Sequence, residues 1–161
     1  MSLEEAAVRG VLQHYGPRTT NETNGGVQNV GGRTKSATYK FSYDDLPGGG
    51  ADAIRTFIPA GAVVKDCYIL VTTDFAGGTS YDIGLEQSDG STAIDADGLF
   101  DALVLADIDA TPGSSVTAGE HAGTNSGVLI GQKLLVDGYL VVAATGTFTA
   151  GEAVVVIDYV V

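Results

Sequence analysis

The sequence predicts an all-β protein: an antiparallel β-sandwich or jelly roll, preceded by an extended N-terminal arm in which the spacing admits a short helix. Three observations lead there. Apolar and polar residues alternate, as in Tyr39, Phe41 and Tyr43 of ATYKFSYDD, or Cys67, Ile69 and Val71 of VKDCYILV; period two is the pattern of a half-buried strand. Glycine-bearing turns break these runs every 8–12 residues or so, a spacing typical of sandwiches, and the 23 glycines follow no collagen period. No helical stretches lie between the strands to serve as crossovers, so antiparallel pairing follows.

The elements can be taken in order. Residues 1–36 form the arm and 37–161 the sandwich domain. In SLEEAAVRGVLQHY, Ser2 and Glu5 have capping-box spacing, and Leu3, Ala7, Val11 and Tyr15 fall near one helical face. Gly10 weakens that helix by about 1 kcal/mol. Residues 16–36 are Gly, Asn and Thr with almost no apolar content, so they cannot pack a core by themselves. A stretch like this gains order from another chain.

The body then opens with the Tyr39–Tyr43 strand and a turn over 44–50. Strands are expected over 53–58, 63–73 and 80–85, with corners at Pro59-Ala60-Gly61 and at Gly77-Gly78. Residues 98–108 fit either a helical turn or a buried strand, and 111–127 read as a long polar loop. Strands are expected again at 128–130, 133–136, 139–144 and 153–161, with Asp137-Gly138 as a hairpin turn. FIPAGAVV (57–64) echoes FTAGEAVVV (148–156), which predicts two similar corners.

Charge separates the two parts. The formal net charge is −12. Residues 1–46 hold five basic and five acidic side chains, and residues 47–161 hold three and fifteen, so the whole surplus lies in the body. Such a body is repelled by phosphate backbones and by anionic bilayers, so neither nucleic acid nor membrane is an expected partner.

No catalytic pattern stands out. Cys67 is the single cysteine; it sits in an apolar run and is expected to be a small buried hydrophobe. Asp95, Asp97 and Asp101 in IDADGLFDAL lack the remaining positions of a calcium loop, so they are expected as solvated turn acids and no metal is expected. His121 is expected as an exposed loop histidine, and no G-x-S-x-G accompanies it. Gly25-Gly26 and Gly31-Gly32 lack the strand and helix of a phosphate loop. No cofactor and no enzymatic activity are expected.

The stretch FIPAGAVVKDCYILVTTDFAGGTSYDIGL carries a resemblance. I-P-A-G-A-V-V leading a strand, then V-T-T-x-F, G-G-T-S and an I-G pair, resembles small structural proteins of tailed bacteriophages, in particular capsid decoration (cement) proteins with a jelly-roll-like β-domain. The segment DADGLFDAL and the closing A-G-x-x-V-V strand fit the same type. The likeness covers roughly residues 54–108 and, through the closing strand, the body.

The resemblance implies a structural virion protein, made in the host cytoplasm and bound as a homotrimer to the major capsid protein on the outer surface of the head. The alternative within the same type is a head-fibre, tail or receptor-binding domain for a host glycan. The resemblance supplies no motif for the arm. Charge and composition alone assign Arg9, His14, Tyr15, Arg18, Arg33 and Lys35 to capsid binding, a neutral, arginine-bearing arm reaching a surface that would repel the acidic body. Pro59, Gly61, Gly77 and Gly78 are the expected fold corners.

Overall fold

A computed structural model describes residues 3–7, 10–15, 26–29, 34–46, 57–108 and 115–161, with side chains described from Thr34 onward. The chain divides into two compact units, Met1–Lys35 and Ser36–Val161.

The first unit is a three-stranded sheet of β1 (Leu3–Ala7), β2 (Gly10–Tyr15) and β3 (Gly26–Asn29), in that order. The extended backbone agrees with an arm, but the helix over 2–15 does not form. Leu3 pairs with His14 and Ala7 with Gly10, antiparallel across a two-residue connection. The period-four spacing of Leu3, Ala7, Val11 and Tyr15 is outweighed by Gly10 and two nearby valines, and an isolated helix this short is marginal in water.

The second unit is a sandwich. One sheet runs β4 (Thr34–Ser42), β10 (Phe148–Val160), β5 (Val63–Gly77), β8 (Ser115–Thr117); the other runs β7 (Ala93–Val104), β6 (Ser80–Glu86), β9 (Tyr139–Thr145). A single turn of helix, α1 (Leu105–Ile108), follows β7. The core lies between the sheets. Phe41, Val64, Cys67, Ile69, Val71, Phe75, Val155 and Ile157 come from one side, and Tyr81, Ile83, Leu85, Phe100, Leu103 and Val142 from the other. At about 25 cal/mol per Å² of apolar surface, this shared burial is the main force holding the layers together.

The long alternating runs form the central pair. β10 lies antiparallel to β5 from Phe148↔Gly77 to Val160↔Val63. Alternate residues of β10 from Ala153 to Tyr159 are buried. Cys67 is buried as a free thiol, and burial pushes its pKa up, ahead of the repulsion from Asp66 and Asp158.

The chain passes between sheets at two neighbouring points, Gly77–Thr79 and Gly146–Thr147. The Thr79 N–H donates to the Thr145 carbonyl at 2.8 Å there. Gly78 is left-handed (φ +66°), and a Cβ at that position would lie 2.3 Å from the Phe148 ring, so only glycine fits.

Several local expectations change. Tyr43 is exposed while Phe41 is buried, because the strand ends there in a turn. Residues 128–130 are a turn, and 133–136 make only the isolated bridge Lys133↔Val63. Asp137-Gly138 is not a hairpin turn: Gly138 bridges to Ile58, and the Asp137 carboxylate accepts from the Ala60 N–H at 2.8 Å. The second Ala-Gly of the internal echo is not a corner either. It is a bulge inside β10, where a Cβ on Gly151 would lie 2.0 Å from the Phe75 ring. Residues 98–108 are both of the expected things in succession, strand to Val104 and then helix. Of the strand expected over 53–58 the described end makes only the isolated bridge Ile58↔Gly138, and residues 53–56, like 47–50 of the turn expected over 44–50, lie outside the described residues.

Candidate functional site

Of the residues assigned to the arm, Arg9, Arg18 and Arg33 lie outside the described residues. His14 and Tyr15 fall on β2, where the backbone alone is described. Lys35 is exposed on β4. At the corners, Pro59 and Gly61 precede β5, with Gly61 at φ +87°; Gly77 ends β5 and Gly78 follows it, at φ +70° and +66°.

The densest polar cluster lies elsewhere, where β7, α1 and the loop 121–127 meet. Strand β7 is strongly bulged. Tyr81 pairs with Leu103, Ile83 with Phe100, Leu85 with Asp95 and Glu86 with Ala93, so β7 carries extra residues at three places. One of them, Ala102, has φ 52°, and its N–H donates to the Asp82 carboxylate at 2.8 Å. Bulges re-aim side chains, and here they gather Asp95, Asp97 and Asp101 beside the loop.

His121 is the hub, with its side chain only 7% exposed. The Gly123 N–H donates to its Nδ1 at 3.2 Å, and Nδ1 lies 2.9 Å from Ser126 Oγ. Nδ1 is therefore the acceptor, so the neutral ring carries its proton on Nε2, facing Asp107 Oδ2 at 3.1 Å. Ser126 Oγ also accepts from the Asp101 N–H at 2.9 Å. Next to it, Asn125 donates through its backbone to Asp101 and through its side chain to Asp97, both at 3.0 Å. The edge of Phe100 closes one side, its ring centroid 6.0 Å from that of His121.

The trio Ser126, His121 and Asp107 has hydrolase side-chain types but different wiring. In a catalytic triad the carboxylate orients Nδ1 and the serine faces Nε2; here the two are exchanged. The Nδ1 lone pair is also occupied by the Gly123 N–H, so the ring is not a free base toward Ser126. The arrangement is a staple that pins the loop to β7 and α1.

The acids beside it are not independent solvated groups. Burial and a hydrogen bond to Asp97 raise the pKa of Asp95; the Asn125 amide, and then Asp95, lower that of Asp97. The two carboxyls are thus pushed in opposite directions, and Asp95 is the one that takes up a proton first as pH falls. Among the described residues, no three His, Cys, Asp or Glu side chains come close enough to hold a metal ion.

The sequence pattern missed this cluster. Its members are separated by 14 residues (Asp107 to His121) and by 25 (Asp101 to Ser126). The expectation of an exposed His121 fails because β8 and the 3-10 turn Ala118–Glu120 fold residues 115–120 onto the body, which seats the ring against Phe100. The Ser126-Gly127 pair in a polar segment is the only local hint.

Comparison with known proteins yields one informative likeness. No protein-family model matches the chain, and no curated protein matches it. Among solved structures, it is similar to a chain in the structure titled "Capsid of Ralstonia phage GP4", with a TM-score of 0.52 and 18% identity, over 80% of this chain and 84% of that one. At this identity the likeness defines a shared fold. The two coverages are nearly equal, so the two chains are of similar length and the common fold takes up most of each.

Proposed function

We propose that this chain is a structural protein of a tailed-bacteriophage virion that binds the outer surface of the head as a homotrimer and acts as a capsid cement (decoration) protein. The observation that carries the reading is the fold shared with a chain of a phage capsid, over most of both chains. The body is of a kind suited to such work. It is a sandwich with a continuous apolar core, and its densest polar cluster is wired as a staple.

The division of charge supports a role for the N-terminal segment. The body holds the whole excess of acid, while residues 1–35 hold Arg9, Arg18, Arg33 and Lys35. In this reading these residues, with His14 and Tyr15, face the major capsid protein. They form contacts that the acidic body alone would oppose. Three arms per trimer multiply the contacts without making each one stronger.

The test is co-sedimentation of the full-length protein with empty expanded phage heads and, separately, with host cells. Saturable binding to heads, lost when Arg9, Arg18, Arg33 and Lys35 are all changed to Ser, is the expected result. Binding to cells and not to heads would overturn the reading in favour of a receptor-recognition domain.

A further inference from the structure

The His121 staple depends on one lone pair. In the neutral ring the proton sits on Nε2, facing Asp107 Oδ2 at 3.1 Å, and Nδ1 accepts. A second proton has a single place to go, which is Nδ1. There it meets the Gly123 N–H, whose nitrogen is 3.2 Å away. Donor then faces donor, and the bond is lost. Ser126 Oγ, 2.9 Å from the same ring nitrogen, has lone pairs and can accept from the new N–H. Its own proton is then free to turn to the Asp101 carbonyl, 3.5 Å away. Charging the ring thus loses one partner and keeps the other.

The seat can hold a charged ring. Burying a lone charge is costly, and this side chain is only 7% exposed. Asp107 of α1 supplies the countercharge, and its own side chain is 40% exposed, so the pair keeps contact with water. From β7, Asp101 adds a second carboxylate, which accepts from the Asn125 N–H at 3.0 Å. The loop 121–127 has no other ionisable side chain, and Glu120 is the one ionisable residue of 115–120 before it. These neighbours are all acids.

The rest of the loop is fastened by other means. The Asn125 side chain donates to Asp97, and this bond holds the Asp97 carboxyl below its ordinary value. The Gly127 and Leu129 N–H groups donate to the Leu99 and Gly98 carbonyls at 3.1 and 3.0 Å, bonds with no titratable member. Upstream, the His121 N–H donates to the Ala118 carbonyl at 3.4 Å. Only the piece between His121 and Asn125 depends on the ring's lone pair. Gly123 lies in that piece, so close to β7 that a Cβ there would be 2.1 Å from the Asp101 carbonyl oxygen.

We propose that His121 is a pH-operated latch: charging its ring releases Gly123 and frees residues 122–124 from β7, while 125–129 stay fastened. Histidine is the side chain whose charge ordinarily changes between about pH 5 and 8. Ala122 and Thr124 are exposed, so the surface the body presents at this loop differs between neutral and mildly acid solution. The inference concerns the body alone and is independent of binding to heads.

An NMR titration of the isotope-labelled, full-length protein between about pH 8 and 5 tests it. Ring nitrogen shifts report the tautomer and charge of His121. Amide exchange at Gly123, taken relative to its intrinsic rate at each pH, reports the bond. The ring is expected to start with its proton on Nε2 and to take up a second within the window. Protection at Gly123 should fall by about tenfold at the same midpoint, with Gly127 and Leu129 unchanged. In His121→Asn the side-chain oxygen can stand where Nδ1 stands but takes up no proton, so protection at Gly123 should not vary with pH. Should that variant not fold, the wild-type titration decides alone. A ring that stays neutral throughout overturns the inference, as does one that starts with its proton on Nδ1. So does a ring that charges while Gly123 keeps its protection, or a His121→Asn variant that keeps the pH dependence. Joint loss of protection at Gly123, Gly127 and Leu129 also overturns it, because the whole loop would then be opening.

Discussion

Tyr81 lies flat on Phe148, their ring centroids 4.1 Å apart and their planes 18° from parallel. Tyr81 belongs to β6 of the three-stranded sheet and Phe148 to β10 of the four-stranded sheet, so the stack joins the two layers. Phe75 and Phe41 meet Tyr81 edge-on, at 5.4 and 5.7 Å. Burial pushes the Tyr81 phenol up to about 12. Truncating one member of this cluster opens a cavity at the seam. Phe148→Ala is expected to lower unfolding stability by about 3 kcal/mol, read as a shifted denaturation midpoint at unchanged slope.

The same stack separates two glycines. At Gly61 (φ +87°) a Cβ would meet nothing within 4 Å, so Gly61→Ala carries only the left-handed backbone penalty, about 1 kcal/mol. At Gly78 (φ +66°) the Cβ would also enter the Phe148 ring. Gly78→Ala should therefore be clearly more destabilising than Gly61→Ala. Equal melting temperatures for the two variants would contradict this.

Glu86 gives a prediction with a pH signature. It is 8% exposed, and its Oε1 has no hydrogen-bond partner. Burial, and then Asp89, raise its pKa above 4.5. A carboxyl raised in the folded state is at no disadvantage below its unfolded pKa and loses stability as pH rises through its folded pKa. Glu86→Gln should therefore raise the melting temperature near neutral pH, with the gain vanishing below about pH 4. Asp89 works in the opposite sense. Its bonds from Thr92 and Ser91 hold it at about 2, so its contribution is present above its unfolded value of 3.8 and is lost as pH falls toward 2.

The staple at His121 is testable by coupling. His121→Ala leaves the Gly123 N–H without its acceptor, which costs about 1–3 kcal/mol if it stays dry, and leaves the Ser126 hydroxyl only the Asp101 carbonyl at 3.5 Å. Ser126→Ala releases the Asp101 N–H. Because the two residues belong to one network, the double variant should lose less stability than the sum of the single losses. Simple additivity, measured by denaturant titration, would argue against a cooperative staple.

How much of this was legible in the sequence depended on the range of the signal. The strands over 63–73 and 153–161 were legible, because period two depends only on which face is buried; that they pair with each other was not. The corner at Gly61 was legible from Pro-Ala-Gly. The β7 bulges were not, since extra residues inside a strand erase the very alternation that marks it. Nor was the seat of His121, whose partners come from three separate elements. The misread helix has the same origin. Spacing by four in Leu3, Ala7, Val11 and Tyr15 is compatible with two short strands once the chain reverses between Ala7 and Gly10, and composition alone does not reveal a reversal.

The position of β10 has a consequence for how the protein is made. It sits between β4 and β5, so the four-stranded sheet lacks its middle until residues 148–160 are available. Its partner β5 precedes it by some eighty residues, a long loop to close before any pairing is rewarded. While the ribosome is still synthesising the chain, β4 and β5 have no strand to join them, and their apolar faces stay unsatisfied. The body is therefore expected to fold as one late, concerted event, after β10 has left the exit tunnel. A chain cut short before that strand would yield no partial sandwich.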